Sequence, residues 1–173
     1  MASVVFLRAV NVGGTNRCRP AALAKELNRL DIVNIGAVGT FVVRGNPSDT
    51  TVRAAIAKKL PFKCEIMICP ARQIVDLVRR DPFAGQPSGP KITRFVMVMH
   101  KPLPLPFPLP LSLPSTNGWL LKVIIIKGRF VLGLYRREMK AISYLGRLEK
   151  QLGVPATTRS WNTIQKIAQI LQT

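Results

Sequence analysis

The sequence predicts an α+β protein with two small antiparallel sheets, and three observations lead to that class. Residues 1–90 alternate β-branched stretches with amphipathic helices in the order β-α-β-β-α-β, which is typical of the ferredoxin-like split βαβ arrangement. Residues 91–173 contain a strand, a hairpin and two helices, which favours a variant of the first half. The 173 residues are 47% hydrophobic, enough for a buried core. We therefore expect two subdomains, 1–90 and 91–173.

Hydrophobic periodicity and turn residues place the elements of the first half. Pro20 suits the first position of a helix, where its missing N–H group loses no bond. Gly36 and Gly39 predict a hairpin turn, and Ser48 or Asp49 can cap the second helix. The predicted elements are strands at 4–7, 32–35, 40–44 and 63–68, a helix that begins at 20, a second helix after the cap at Ser48 or Asp49, and a helix over 71–80.

The second half is predicted in the same way. A strand at 94–99 precedes a hairpin formed by 119–126 and 130–135, with Gly128 in its turn. A helix follows and ends at Gly153, and Asn162 with Gln165 resembles the capping box of a last helix. The apolar face of the first of these helices is predicted to hold Ile142, Leu145, Leu148 and Leu152.

Residues 102–114 contain six prolines that alternate mainly with leucines. Proline fixes φ and removes a backbone donor, so this composition excludes a helix or a central strand and favours an extended connector packed on the core. A ligand for proline-binding modules is the alternative interpretation.

Charge is the strongest indication of function. The chain has 26 Lys plus Arg against 8 Asp plus Glu, a formal net charge of +18, and residues 1–90 and 91–173 carry +7 and +11. Such a field attracts polyanions, with nucleic acid or another polyanion as the expected partner. No apolar run approaches the roughly 20 residues of a membrane span, so we expect a cytoplasmic protein with no membrane partner.

Catalytic and metal-binding residues are scarce. His100 is the single histidine, the acidic residues show no metal-ligand spacing, and three cysteines are an odd count. Cys18, between Arg17 and Arg19, is the one nucleophile whose neighbours favour a lowered thiol pKa, but no clear base accompanies it. We therefore predict no catalytic residues, no metal and no cofactor.

Two segments carry a resemblance to a known family. Residues 6–14, FLRAVNVGG, resemble the opening LLRGINVGG of a bacterial family known as domain of unknown function 1697, and residues 152–163, LGVPATTRSWNT, resemble its LGVPATTRNWNTV. The resemblance implies two ferredoxin-like subdomains packed together and supplies no established activity. Residues 36–40, GAVGT, replace the YIQSGN that usually ends the second strand of the family.

Both motifs are candidate anion sites. In the first, glycine amides form a concavity with basic side chains beside it, and in the second a helix start offers free amides, an arginine and an aromatic ring for stacking. The structural alternatives are a tight glycine turn with Asn11 bonded to local backbone, and a capped helix with a core tryptophan. The candidates are Arg8, Asn11, Gly13, Gly14, Asn16 and Arg17 in the first motif and Thr158, Arg159, Trp161 and Asn162 in the second.

A broader basic surface is the leading hypothesis. Its candidates lie in and after the second hairpin: Lys127, Arg129, Arg136, Arg137 and Lys140. The sequence leaves three functions open: binding of nucleic acid or another polyanion without catalysis, binding of a small phosphate-bearing ligand at Arg8–Gly14 and Thr158–Asn162, and a structural or protein-interaction domain.

Overall fold

The structure is a computed structural model that describes residues 1–104, 107–115 and 118–172. The chain divides into two compact units. The first unit is Met1–Arg80 with the segment that begins at Asn162, and the second unit is Asp81–Trp161. This division lies before the boundary at residue 90 suggested by the sequence, and most of the last helix belongs to the first unit. Two antiparallel sheets with helices confirm the α+β class.

The described residues contain nine strands, five α-helices and a short 3-10 helix, Asn28–Leu30, that follows the first α-helix. The strands are β1 Ser3–Leu7, β2 Ile32–Ile35, β3 Thr40–Val43, β4 Ile66–Pro70, β5 Ile92–Met99, β6 Leu111–Leu113, β7 Leu121–Lys127, β8 Phe130–Arg136 and β9 Ala156–Ser160. The helices are α1 Pro20–Glu26, α2 Asp49–Lys59, α3 Ala71–Arg79, α4 Met139–Leu152 and α5 Trp161–Gln172. No helix among the described residues is long and apolar enough to cross a membrane.

The sheet of the first unit has the order β2-β3-β1-β4 with every neighbouring pair antiparallel. This order, reached by β-α-β-β-α-β along the chain, is the predicted ferredoxin-like arrangement. Leu23 and Leu27 of α1 and Ile56 of α2 pack in one cluster with Val5 and Phe41 of the sheet, so both helices cover the same face. The predicted fold of this unit is confirmed, although its fourth strand is Ile66–Pro70 and not 63–68 as predicted.

Local signals set the helix starts of the first unit as predicted. Pro20 lies at the start of α1, and the Ser48 side chain accepts a hydrogen bond from the Thr51 amide at 3.1 Å, which caps α2.

The sheet of the second unit has the order β6-β7-β8-β5-β9. Strands β7-β8-β5-β9 repeat the antiparallel order of the first sheet, and β6 is added at the edge. The proline-rich segment connects β5 to β7, and its Leu103, Phe107 and Leu109 pack against the core beside α4, so it is a packed connector. Residues 105 and 106 of that prediction lie outside the described residues. Strand β6, between Pro110 and Pro114, was not predicted, but an edge position tolerates prolines at its ends.

Helix α4 differs from its prediction on one face. Ala141, Leu148 and Leu152 are buried, whereas Ile142 is 64% exposed, so the prediction that Ile142 faces the core is wrong. The helix ends as predicted at Gly153, which has a left-handed φ of 70°.

The largest difference from prediction is β9. The sequence suggested a helix start over 158–162, but residues 156–160 form a strand that pairs antiparallel with β5, with Thr158 opposite Met97. Helix α5 begins at Trp161, so Asn162 lies inside the first turn and is not its cap. The strand ATTRS lacks an apolar alternation, and pairing with a buried neighbour decides its conformation instead.

Candidate anion-binding sites

The glycines of the first motif form a tight turn. The Thr15 amide donates to the Val12 carbonyl at 3.2 Å, and the two central residues, Gly13 and Gly14, have φ of 62° and 76°. A two-residue turn with positive φ at both central positions suits glycine, which has no Cβ to clash. The geometry of these glycines is therefore that of a tight turn, the structural alternative considered from the sequence.

Asn11 joins three segments of the chain. Its Nδ2 donates to the Cys18 carbonyl at 2.9 Å and to the Ala37 carbonyl at 2.7 Å, and its Oδ1 accepts from the Cys18 amide at 2.9 Å. The residue has a φ of 56°, a conformation that asparagine tolerates better than most residues. One side chain thus holds the β1–α1 loop against the turn that follows β2.

An open cleft of about 550 Å³ lies beside this clamp. Arg17 and Arg19 are exposed, and the Arg17 Nε donates to the Gly14 carbonyl at 3.1 Å, which fixes its guanidinium group against the glycine turn. The lining of the cleft contains two arginines and no acidic residue, so the cleft is basic. The lining residues are Asn11, Gly14, Arg17, Cys18, Arg19 and Ala37.

The cleft contains only part of the predicted set. Arg8, Gly13 and Asn16 do not line it, and the Asn16 Nδ2 instead donates to the Ala9 carbonyl at 3.3 Å. Arg19 and Ala37 line the cleft although neither was predicted as a site residue. Alternation along an extended segment would have indicated Arg19, since it lies two residues after Arg17, whereas only the fold places Ala37 here.

Cys18 does not have the properties of an activated nucleophile. Burial raises the pKa of its thiol, so the lowered pKa considered from its arginine neighbours is wrong. Burial is also the main cause that raises the pKa of the Cys64 thiol. Cys18 therefore lines the cleft as a neutral thiol near pH 7. No group of three or more His, Cys, Asp or Glu side chains in the described part of the chain could hold a metal ion.

The second motif lies largely inside the protein. Arg159, 6% exposed, donates from Nη1 to the Thr157 Oγ1 at 2.7 Å and to the Thr158 carbonyl at 3.0 Å. Burial lowers the pKa of its guanidinium group to about 10. Trp161 is 5% exposed and meets Phe83 edge-on, with ring centroids 5.0 Å apart. The predicted helix-start site is thus a strand with a buried arginine, and Asn162 alone of the four candidates is exposed.

The arginines of the second hairpin bond to nearby backbone and side chains. Arg129 donates to the carbonyls of Met99 and His100 at 3.0 and 2.7 Å. Arg136 donates to the Trp119 carbonyl at 2.8 Å and lies 4.3 Å from the centre of its ring. The remaining candidates, Lys127, Arg137 and Lys140, are exposed. The Arg137 Nε also donates to the Thr93 Oγ1 at 3.2 Å.

A basic stripe runs along α4. Lys140, Tyr144, Arg147 and Lys150 recur at helical spacing, and the Arg147 guanidinium lies 5.0 Å from the centre of the Tyr144 ring. All three basic side chains are exposed, whereas Ala141, Leu148 and Leu152 of the same helix are buried. We call these four residues the α4 basic face. Only Lys140 of this face was predicted as a binding residue, although the spacing of Arg147 and Lys150 from it indicates the same face.

Charge is distributed equally between the units. The first has 14 basic and 5 acidic residues and the second 12 and 3, so each carries +9. Of the 26 Lys and Arg side chains, 20 are exposed. Ion pairs join Arg44 to Asp31 and Lys59 to Glu26 at 3.1 and 3.6 Å, but 8 acidic residues cannot neutralise 26 basic ones.

The fold and these sites define a small basic α+β protein with two antiparallel sheets. Residues 1–107 match the family described as "Protein of unknown function (DUF1697)", and the chain belongs to that family. The C-terminal resemblance at 152–163 lies outside the matched residues.

A solved structure shares the fold. A conserved bacterial protein from Streptococcus pneumoniae has a TM-score of 0.62 and 16% sequence identity to this chain, with 98% of each chain covered. At that identity the similarity concerns the fold alone. No curated protein matches the sequence significantly.

Proposed function

We propose that the protein binds nucleic acid, or another phosphate polyanion, without catalysing a reaction. The observation that carries the proposal is the excess of exposed positive charge: 20 exposed basic side chains in a chain with only 8 acidic residues. Contacts of Lys and Arg with phosphates release counterions and supply affinity with little dependence on sequence.

The α4 basic face fits this ligand best. Lys140 and Arg147 are seven residues apart, about 10 Å along the helix axis, so they can contact separate phosphates of one backbone. Tyr144 supplies an aromatic surface beside Arg147. The chain has only 2 Tyr, 2 Trp and 7 Phe residues, and Trp161 is buried, which favours phosphate contacts over base recognition.

The test is binding of fluorescent single-stranded and duplex oligonucleotides of two unrelated sequences, measured by anisotropy over a range of salt concentrations. We expect affinity that falls steeply with salt and differs little between the sequences. The triple variant K140A/R147A/K150A should bind more weakly and lower the salt slope by about 2 to 3. The matched control K25A/R29A/K58A removes the same charge from exposed positions of the first unit.

Absence of binding at low salt, or binding that does not respond to salt, would overturn the proposal. Equal losses in the two triple variants would refute the assignment to α4.

We also propose a cytoplasmic location. Cys18, Cys64 and Cys69 are all free thiols, which is typical of proteins in a reducing compartment. Fractionation of cells that express the full chain tests this location.

A further inference from the structure

We propose that the cleft beside Asn11 is a binding site for a phosphate monoester, with Arg17 and Arg19 as the residues that hold the phosphate. The ligand class is a nucleotide or a sugar phosphate, or the terminal phosphate of a nucleic acid. This site belongs to the first unit and shares no residue with the α4 basic face.

The two arginines supply the recognition chemistry. Both line the cleft and both are exposed, so a ligand can reach them. The bond from the Arg17 Nε to the Gly14 carbonyl fixes the guanidinium plane and leaves its terminal nitrogens to donate. A Cβ added at Gly14 would lie 3.5 Å from the Arg17 Nη2, so the guanidinium lies directly on the glycine turn. Planar donor forks of this kind match the oxygens of a phosphate.

The walls of the cleft are held in place before a ligand binds. The three hydrogen bonds of Asn11 tie the segment around Cys18 to the turn at Ala37. These two residues are far apart in the sequence, and both line the cleft. A wall that is already ordered reduces the entropy lost on binding. Gly14, in the two-residue turn, has a φ of 76° that suits glycine, and its carbonyl holds the Arg17 guanidinium group at the cleft.

The size and polarity of the cleft select the ligand. Its volume of about 550 Å³ lies in the range of sites for small molecules and exceeds what one phosphate group fills. The remainder of the lining includes the neutral thiol of Cys18 and the Ala37 segment, which suit an uncharged sugar or nucleoside. No acidic residue among the lining residues opposes an anion.

The test is isothermal titration calorimetry of the full chain at moderate salt with three probes: inorganic phosphate, a nucleoside 5′-monophosphate and the same nucleoside without phosphate. We expect the monophosphate to bind at least tenfold more tightly than the nucleoside. R17A and R19A should each weaken monophosphate binding about tenfold, because each removes charge-assisted hydrogen bonds. Lys58→Ala is the matched control, an exposed basic residue that does not line the cleft, and it should bind as the wild type does.

Three results would overturn the site. They are equal affinities for the nucleoside and its monophosphate, wild-type affinity in the double variant R17A/R19A, and a loss in Lys58→Ala as large as in R17A. Thermal unfolding of each variant confirms that the arginine substitutions leave the fold intact, as expected for exposed side chains.

A second pair of probes identifies the source of the phosphate. An oligonucleotide with a 5′-phosphate that binds more tightly than its 5′-hydroxyl form, with the difference lost in R17A, supports a nucleic-acid terminus. Equal binding of the two oligonucleotides together with tight monophosphate binding supports a free metabolite. The variant K140A/R147A/K150A should keep monophosphate binding, so failure of the polyanion proposal leaves this site intact and the reverse also holds.

Discussion

The two units reach the same strand order by different connections. In the first unit the link from β1 to β2 contains α1, whose Leu23 and Leu27 cover one face of the sheet. In the second unit the corresponding link from β5 to β7 is proline-rich, and its Leu103 and Leu109 pack on the core of that sheet. A helix in one unit and an extended segment in the other thus both place apolar side chains on the core of a sheet with the same strand order.

The last strands of the two sheets differ more sharply. Strand β4 pairs with β1 through Cys69 opposite Val4, and β9 pairs with β5 through Arg159 opposite Val96. Cys69 and Arg159 therefore occupy equivalent positions, and both are buried. The same place in the fold thus accepts a small thiol in one unit and a guanidinium group bonded to its own strand in the other.

The largest expected effect tests this equivalence. Arg159→Ala should destabilise the protein by about 3 kcal/mol, because it leaves a cavity and removes the bonds to Thr157 and Thr158. Cys69→Ala removes a single buried atom and should cost about 1 kcal/mol. Urea unfolding followed by circular dichroism measures both.

Arg159→Met is the control for volume, and it should be less destabilising than Arg159→Ala, because both variants lose the charge and its hydrogen bonds but methionine fills most of the buried space. An Arg159→Ala variant with the unfolding free energy of the wild type would show that strand β9 does not depend on this side chain.

The hairpin turns provide an intermediate effect. Gly39, between β2 and β3, has a φ of 87°, and a Cβ there would lie 2.7 Å from the Leu7 Cβ, whereas Gly128, between β7 and β8, has a φ of 57° and open space around it among the described residues. Gly39→Ala should therefore cost about 2 kcal/mol and Gly128→Ala about 1 kcal/mol. Thermal unfolding of the two variants gives the ranking, and equal losses would mean that backbone conformation alone determines both.

The smallest effect concerns the helix caps. Ser48 caps α2 through its side chain, whereas Glu138 at the N-terminus of α4 makes no such bond. Ser48→Ala should destabilise by about 1 kcal/mol, and Glu138→Asp should stabilise by about 0.5 kcal/mol, since aspartate reaches the free amides of a first turn. Both shifts are measurable in denaturant midpoints. A stabilised Ser48→Ala variant would contradict the capping role.

The sequence predicts the first unit well because its elements agree with local chemistry. Pro20, Ser48 and the glycines of the β2–β3 turn each have the residue type that their position requires. Strand β9 could not be predicted, because pairing with β5 decides its conformation and its residues ATTRS show no apolar period. Helical spacing alone also does not predict that Ile142 is exposed, because it does not show how far the buried face of the helix extends.

The candidate sites were predictable only in part. The sequence indicates Asn11, Gly14 and Arg17, which follow one strand, but Ala37 comes from another turn and is brought to the cleft by the Asn11 hydrogen bond. The division of net charge between the two parts of the chain also changes once the compact units are known. The apparent difference of +7 against +11 between the sequence halves becomes +9 for each compact unit, so the charge gives neither unit priority as the binding surface.

Strand β6 affects how the second sheet meets other proteins. It is an edge strand of three residues, Leu111–Leu113, with a proline directly before and directly after it. An unpaired edge is a template on which a strand from another molecule can add, and prolines interrupt that template because they have no N–H group to donate. The proline-rich connector therefore shortens the side of the sheet that is open to intermolecular strand pairing and protects a strongly apolar sheet from aggregation.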